Sequence, residues 1–167
     1  MTRQGAHGVP FAIHTPNIMP YLHLADLSLT QKPRLVVAFD RHATLAQVQA
    51  AHTQGMDFAE LRFDLGGLQP LDVLQSSLSA FTTVPRLLTL RHEREGGEWR
   101  ASESRRVQYY RALLPAVDGV DIELSASGAA EVIQMAHAAQ KCVVLSSHDF
   151  QNTPSLSAMQ AQLARAH

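Results

Sequence analysis

The sequence contains a single cysteine and carries almost no net charge, −1 over 167 residues. A lone Cys142 cannot form an internal disulfide. It sits in the apolar run Cys142-Val143-Val144-Leu145, which reads as a buried, reduced thiol. No stretch approaches the roughly 18 consecutive apolar residues of a membrane-spanning helix. No His-x-His pair and no cysteine cluster offers metal ligands, so neither a metal nor a cofactor is expected. The balanced charge gives no electrostatic case for nucleic acid or an anionic membrane surface. Residues 1–20 hold one arginine, no continuous apolar core and no small-residue cleavage pattern. They read as a flexible tail rather than a signal peptide, with the cytoplasm as the expected compartment.

What is present is a globular composition with a repeated pattern. Apolar residues make up 46% of the chain, enough for an ordinary packed domain and too many for a disordered one. Leu22 to Leu29 alternates weakly around Ala25-Asp26 and predicts a short hairpin. From Arg34 onward, strand and helix patterns alternate. Leu35 to Phe39 is a continuous apolar run, as expected of a parallel strand covered on both faces. Thr44 is placed to cap a helix bearing Leu45, Val48 and Ala51 that ends near Gly55. Phe58 to Phe63 predicts a second strand, and Pro70 opens a helix with Leu71, Leu74, Leu78 and Phe81 at helical spacing.

The cycle recurs with a strand at Arg86–Leu90 and a helix over Glu103–Leu114. A fourth strand follows at Val120–Leu124, then a helix from about Ser127 to Gln140 and a fifth strand at Cys142–Leu145. Thr153-Pro154 is read as the start of a last helix striped by Leu156, Met159 and Leu163. About five βα units, spaced by roughly 23–32 residues, imply an α/β fold with a parallel sheet. Periodicity leaves two arrangements open: a doubly wound open sheet, or a barrel short of its last three units, since a closed one takes about 250 residues.

In parallel α/β proteins the working groups gather at the carboxyl ends of the strands. Each predicted strand here breaks into ionisable residues near its end: Glu60, Arg62 and Asp64; Arg91 to Glu95; Asp121 and Glu123; His148 and Asp149. Singly, each has a structural reading. Glu60 and Arg62, two apart on one strand face, fit an ion pair inside a barrel. Arg91 to Glu95 fits a solvated loop, except that Gly96-Gly97 frees the backbone for a tight approach. His148 alone is more often a loop histidine than a base. Together, acidic, basic and imidazole groups converge on one rim, which suits an anionic, polyhydroxylated substrate.

At these residues the sequence resembles the type I 3-dehydroquinate dehydratases. Glu60-Leu61-Arg62-x-Asp64 is similar to the family's second-strand signature. Arg91 with Glu95-Gly96-Gly97 resembles its third-strand arginine and Glu-Gly-Gly loop. Val120 to Leu124 resembles its fourth strand, and Ser146 to Pro154 its Ser-x-His-Asp-Phe-x-x-Thr-Pro block. The resemblance runs from about Leu22 to the end. It implies an incomplete (β/α) TIM-type barrel over 21–167 with an N-terminal hairpin closing its bottom. It also implies a shikimate-pathway lyase that dehydrates 3-dehydroquinate to 3-dehydroshikimate through an imine on a lysine. His148 would be the general base and acid, a role suited to imidazoles, which ordinarily titrate near about pH 6.5. Glu95 would orient it, and Glu60, Arg62 and Arg91 would hold the substrate. Ala38 departs from the serine that many relatives carry on the first strand.

The family's imine lysine lies on the sixth strand, and this sequence reaches only His167, in the helix after the fifth. The lysines present are Lys32 and Lys141. Each precedes a strand, and Lys141 is expected to lie roughly 20 Å from His148, at about 3.3 Å per residue along the strand. The expectation is a polypeptide inactive by itself, marginally stable or self-associating, that pairs with another copy or a complementary C-terminal fragment. The alternatives are a non-catalytic relic or binding module of the same fold and, least favoured for want of ligands, a metal-dependent barrel hydrolase.

Overall fold

The apolar runs read as strands do form strands, and their order decides between the two open arrangements. The computed structural model describes residues 23–29 and 32–166; the expected tail over 1–20 and Leu22 lie outside the described residues. An antiparallel hairpin pairs β1 (His23–Leu24) with β2 (Leu27–Ser28). Five parallel strands follow: β3 (Val36–Phe39), β4 (Phe58–Arg62), β5 (Arg86–Thr89), β6 (Gly119–Glu123) and β7 (Cys142–Ser146). They lie side by side in chain order, β3-β4-β5-β6-β7. A doubly wound sheet reverses its strand order at a switch point and carries helices on both faces. Here the order never reverses.

The connecting helices are α1 (Leu45–Thr53), α2 (Leu71–Ser77), α3 (Glu103–Leu113) and α4 (Ala129–Ala138). Their buried residues Val48, Leu74, Val107 and Val132 join one core with Ala59 and Leu61 of β4, Leu88 of β5, and Val120 and Ile122 of β6. These strand residues alternate in sequence, so every one of these helices covers the same face of the sheet. Helices on one face of a sequentially ordered parallel sheet make an unclosed segment of a (β/α) barrel.

Local chemistry sets the helix ends. Thr44 and Gln47 form a reciprocal capping box on α1, satisfying two amide donors that a bare helix start leaves unpaired. The stretch after Pro70 tightens into a 3-10 turn over Leu78–Phe81, which keeps Leu74, Leu78 and Phe81 buried together. α3 passes into a 3-10 turn, Leu114–Ala116, where Pro115 cannot donate to a continuing helix. The last helix, α5 (Leu156–Ala166), begins later than Thr153-Pro154. Ser155 starts it, its Oγ accepting from the Ala158 amide at 3.2 Å.

At the amino end of the strands, Leu24 of the hairpin packs with Leu87 and the free thiol of Cys142, with Phe58 and Val144 beside them. Burial pushes the Cys142 thiol up in pKa. Arg34 ties the hairpin down, donating to the Ser28 carbonyl at 2.9 Å and to Asp57 Oδ1 at 2.9 Å. The hairpin therefore plugs the bottom of the inward face, as the resemblance implied.

One expectation of burial does not hold. The run at Leu35–Phe39 was expected to be covered on both faces, but Leu35 is 53% and Val36 42% exposed. The reason is position: β3 is an edge strand, and only Val37 and Phe39 reach the helix-side core. The stripe of α5 is likewise uncovered, with Leu156 68% and Leu163 64% exposed.

Candidate active site

The carboxyl ends of β4 to β7 bring the predicted residues to one rim, on the sheet face opposite the helices. The clearest contact joins two residues 53 apart in sequence. Glu95 closes a 3-10 turn (Glu93–Glu95) after β5, and His148 follows β7. His148 Nδ1 lies 3.1 Å from Glu95 Oε2, and the same oxygen accepts the His148 backbone amide at 2.9 Å. The Phe150 ring lies parallel to the imidazole, 6.0 Å between centroids.

Glycine makes the turn possible. Gly96 sits at φ +80°, in the left-handed region that L side chains rarely adopt. Gly97 has a different reason: a Cβ there would lie 2.0 Å from the Arg91 carbonyl oxygen. The segment is thus a built turn rather than a solvated loop, as Gly96-Gly97 suggested, and it is clamped by the Trp99 amide donating to that carbonyl at 3.0 Å.

Burial pushes the Glu95 carboxyl up, but hydrogen bonds from the Ser125 hydroxyl and from His148 outweigh it and hold the carboxyl below its ordinary range. Glu95 is therefore ionised near neutral pH and can only accept. The hydrogen between the two groups then belongs to Nδ1, and Nε2 of a neutral imidazole keeps the lone pair that takes a proton. The contact's contribution to stability is complete above the ordinary glutamate pKa of about 4.3 and is lost as pH falls through the lower folded value.

Glu60 and Arg62 do not pair with each other. Arg62 makes a two-pronged bridge to Asp64, Nε to Oδ1 at 2.9 Å and a terminal nitrogen to Oδ2 at 2.8 Å. The bond to Asp64 raises the arginine's pKa further, overcoming the opposing effect of burial. Glu60 Oε1 accepts the Thr89 hydroxyl at 2.8 Å. Both residues stay half-buried on the inward face.

Arg91 is placed more deeply, at 6% exposure. It bridges Asp121 Oδ1 at 3.0 Å, lies 3.7 Å from Glu123 Oε1, and donates to the Ser146 hydroxyl. Ser146 in turn donates to Asp121 Oδ1 at 2.7 Å. A second arginine, Arg106 of α3, donates to Glu123 Oε2 at 2.7 Å, to the Leu90 carbonyl at 3.1 Å and to Glu103 Oε2 at 3.0 Å. Sequence reasoning missed Arg106. A signal existed, because Arg106, Tyr110 and Leu113 are spaced i, i+4, i+7 and all three are buried. Tyr110 completes the layer, accepting the Leu90 amide at 3.1 Å and donating to the Asp121 carbonyl at 2.6 Å. Burial raises its hydroxyl pKa strongly.

Lys32 and Lys141 precede β3 and β7, at the opposite end of the strands from His148. Lys32 is exposed and Lys141 is partly buried. The rim thus gathers carboxylates, guanidinium groups and one imidazole on a single face of the sheet.

Residues 35–167 match the family model described as Type I 3-dehydroquinase. The 3-dehydroquinate dehydratase of Methanosarcina barkeri is 36% identical over 153 residues, covering 87% of this chain and 63% of the relative. That of Methanosarcina acetivorans is 39% identical over 142 residues, covering 80% and 59%. Among solved structures, the 3-dehydroquinate dehydratase of Enterococcus faecalis superposes with a TM-score of 0.68 at 32% identity, over 80% of this chain and 60% of that one. The chain thus spans about three-fifths of the length of these relatives.

Proposed function

The chain belongs to the type I 3-dehydroquinase family, and from that premise we propose that it carries the proton-transfer half of a 3-dehydroquinate dehydratase site. The observation that supports this best is the 3.1 Å contact between His148 Nδ1 and Glu95 Oε2. In the reaction, a lysine amine and the substrate ketone form an imine, which withdraws electrons from the neighbouring carbon. His148 Nε2 takes the proton from that carbon. The imidazolium then returns a proton to the departing hydroxide, so water leaves and 3-dehydroshikimate forms once the imine is hydrolysed. Glu95 stabilises the transient imidazolium. Glu60 and Arg62 hold the substrate's hydroxyl and polar groups. Arg91 offers it only the donors not already spent on Asp121 and Ser146.

The imine lysine has to come from outside these 167 residues, because Lys32 and Lys141 stand at the far end of the strands. The domain is residues 21–167, a partial barrel placed in the cytoplasm, where a reduced Cys142 is at home. Its partner is a second copy or a complementary fragment that adds strands to the edges β3 and β7.

The test is borohydride trapping with 3-dehydroquinate, on this chain alone and mixed with the remaining βα units of a relative. The expected adduct appears only in the mixture and on the added fragment. His148→Ala should then cut turnover by about 10²–10⁴-fold. An adduct on Lys32 or Lys141 would overturn the assignment of the lysine. A mixture that binds substrate but gives neither adduct nor turnover would leave only a binding module.

A further inference from the structure

We propose that Ser125, on the loop after β6, is a positioning residue for the Glu95–His148 pair, an inference that rests on the proton-transfer reading of that pair. Its hydroxyl donates to Glu95 Oε1 at 2.7 Å, while Oε2 receives the His148 amide and faces Nδ1. Each carboxylate oxygen is thus held from a different loop, one after β6 and one after β7. The last torsion of a glutamate is broad and two-fold. A carboxylate gripped by one oxygen can turn about it; one gripped by both presents a fixed lone pair to the imidazole.

Among the described residues, the Ser125 hydroxyl makes no side-chain bond other than that to Glu95. α4 starts at Ala129 with Gly128 at its cap and no side-chain capping bond, so the hydroxyl is not spent on a helix end. Ser125 itself is exposed, yet its partner Glu95 has a side chain only 11% exposed. Burial drives the carboxyl up; the bond from the Ser125 hydroxyl is the strongest single contact opposing it, with three weaker ones from His148 beside it. The other charged or titratable groups around the adjoining cavity are His92 and Arg94 on the same turn, Glu103 and Arg106 on α3, and Glu123 on β6.

The decisive measurement is a carbon-13 titration of the Glu95 carboxyl in the full 167-residue chain, comparing Ser125→Ala and Ser125→Thr with the unaltered protein. Ser125→Ala should move the titration to higher pH, since a bond that favours the ionised form is gone, and Ser125→Thr should restore it. In the complemented protein, Ser125→Ala should lower kcat about tenfold at unchanged KM, because orientation rather than substrate binding is lost. A Glu95 titration unmoved by Ser125→Ala would overturn the assignment, as would a shift that threonine does not reverse. A shifted titration without turnover in any preparation would sink the dehydratase reading and leave Ser125 where it is placed here.

Discussion

The two faces of the five-stranded sheet are built from alternate residues of the same strands, yet they are completed by different means. The helix side is apolar and closed: Leu61, Leu88 and Val120 are fully buried in one core beneath α1 to α4. The inward side carries Glu60, Arg62, Thr89, Arg91, Asp121, Glu123 and Ser146, held by ion pairs and hydrogen bonds rather than by apolar cover. Apolar packing is non-directional, so it can form wherever the period of two puts a side chain against a helix. Charges taken from water persist only where each finds a partner. The comparison teaches that the apolar face supplies the stability, while the polar face spends part of it on a fixed arrangement of groups.

Three substitutions sharpen or break that contrast. The largest effect is expected from Arg106→Ala, which takes the buried cation from Glu103 and leaves Glu123 only the more distant Arg91, at 3.7 Å. Urea unfolding should show a loss of about 3–5 kcal/mol. A loss under about 1 kcal/mol would mean that the inward network is solvated and the contrast false. Leu88→Ala on the helix side should cost about 2–5 kcal/mol through lost transfer energy and a residual cavity, with the carboxyl titration of Glu95 unchanged. A shift in that titration would show the two faces to be coupled. The smallest effect is expected from Thr89→Val, which removes the hydroxyl held by Glu60 at nearly constant volume. About 1 kcal/mol should be lost, because half-buried Glu60 can turn to water; a loss as large as that of Leu88→Ala would put the inward face on the same footing as the core.

Much of the fold was legible because it is written in short-range patterns. Apolar runs gave the five parallel strands, Thr44 and Pro70 marked helix starts, and Gly96-Gly97 announced a tight turn. Where reading failed, the cause was non-local. Leu35 and Val36 look like an interior strand, and only the sheet order reveals them as an edge. The helical stripe of Leu156 and Leu163 was legible, although spacing by itself says nothing about whether a surface covers it. In the site, the convergence of His148 and Glu95 on one rim was legible from strand ends and the family motifs. Ser125 was not, since a serine in a loop carries no period, and it meets Glu95 from 30 residues away.

Sequence was enough to tell which residues line each face of the sheet and at which end its ionisable groups gather, because both follow from the two-residue period and strand direction. The tertiary structure alone decided the partners. Arg62 joins Asp64 rather than Glu60, and Arg91 sinks among Asp121, Glu123 and Ser146. Glu95 meets His148 at one oxygen and Ser125 at the other. A charge's partner depends on distances of a few ångströms between segments far apart in the chain, and those are set only when the helices pack and the strands take their register.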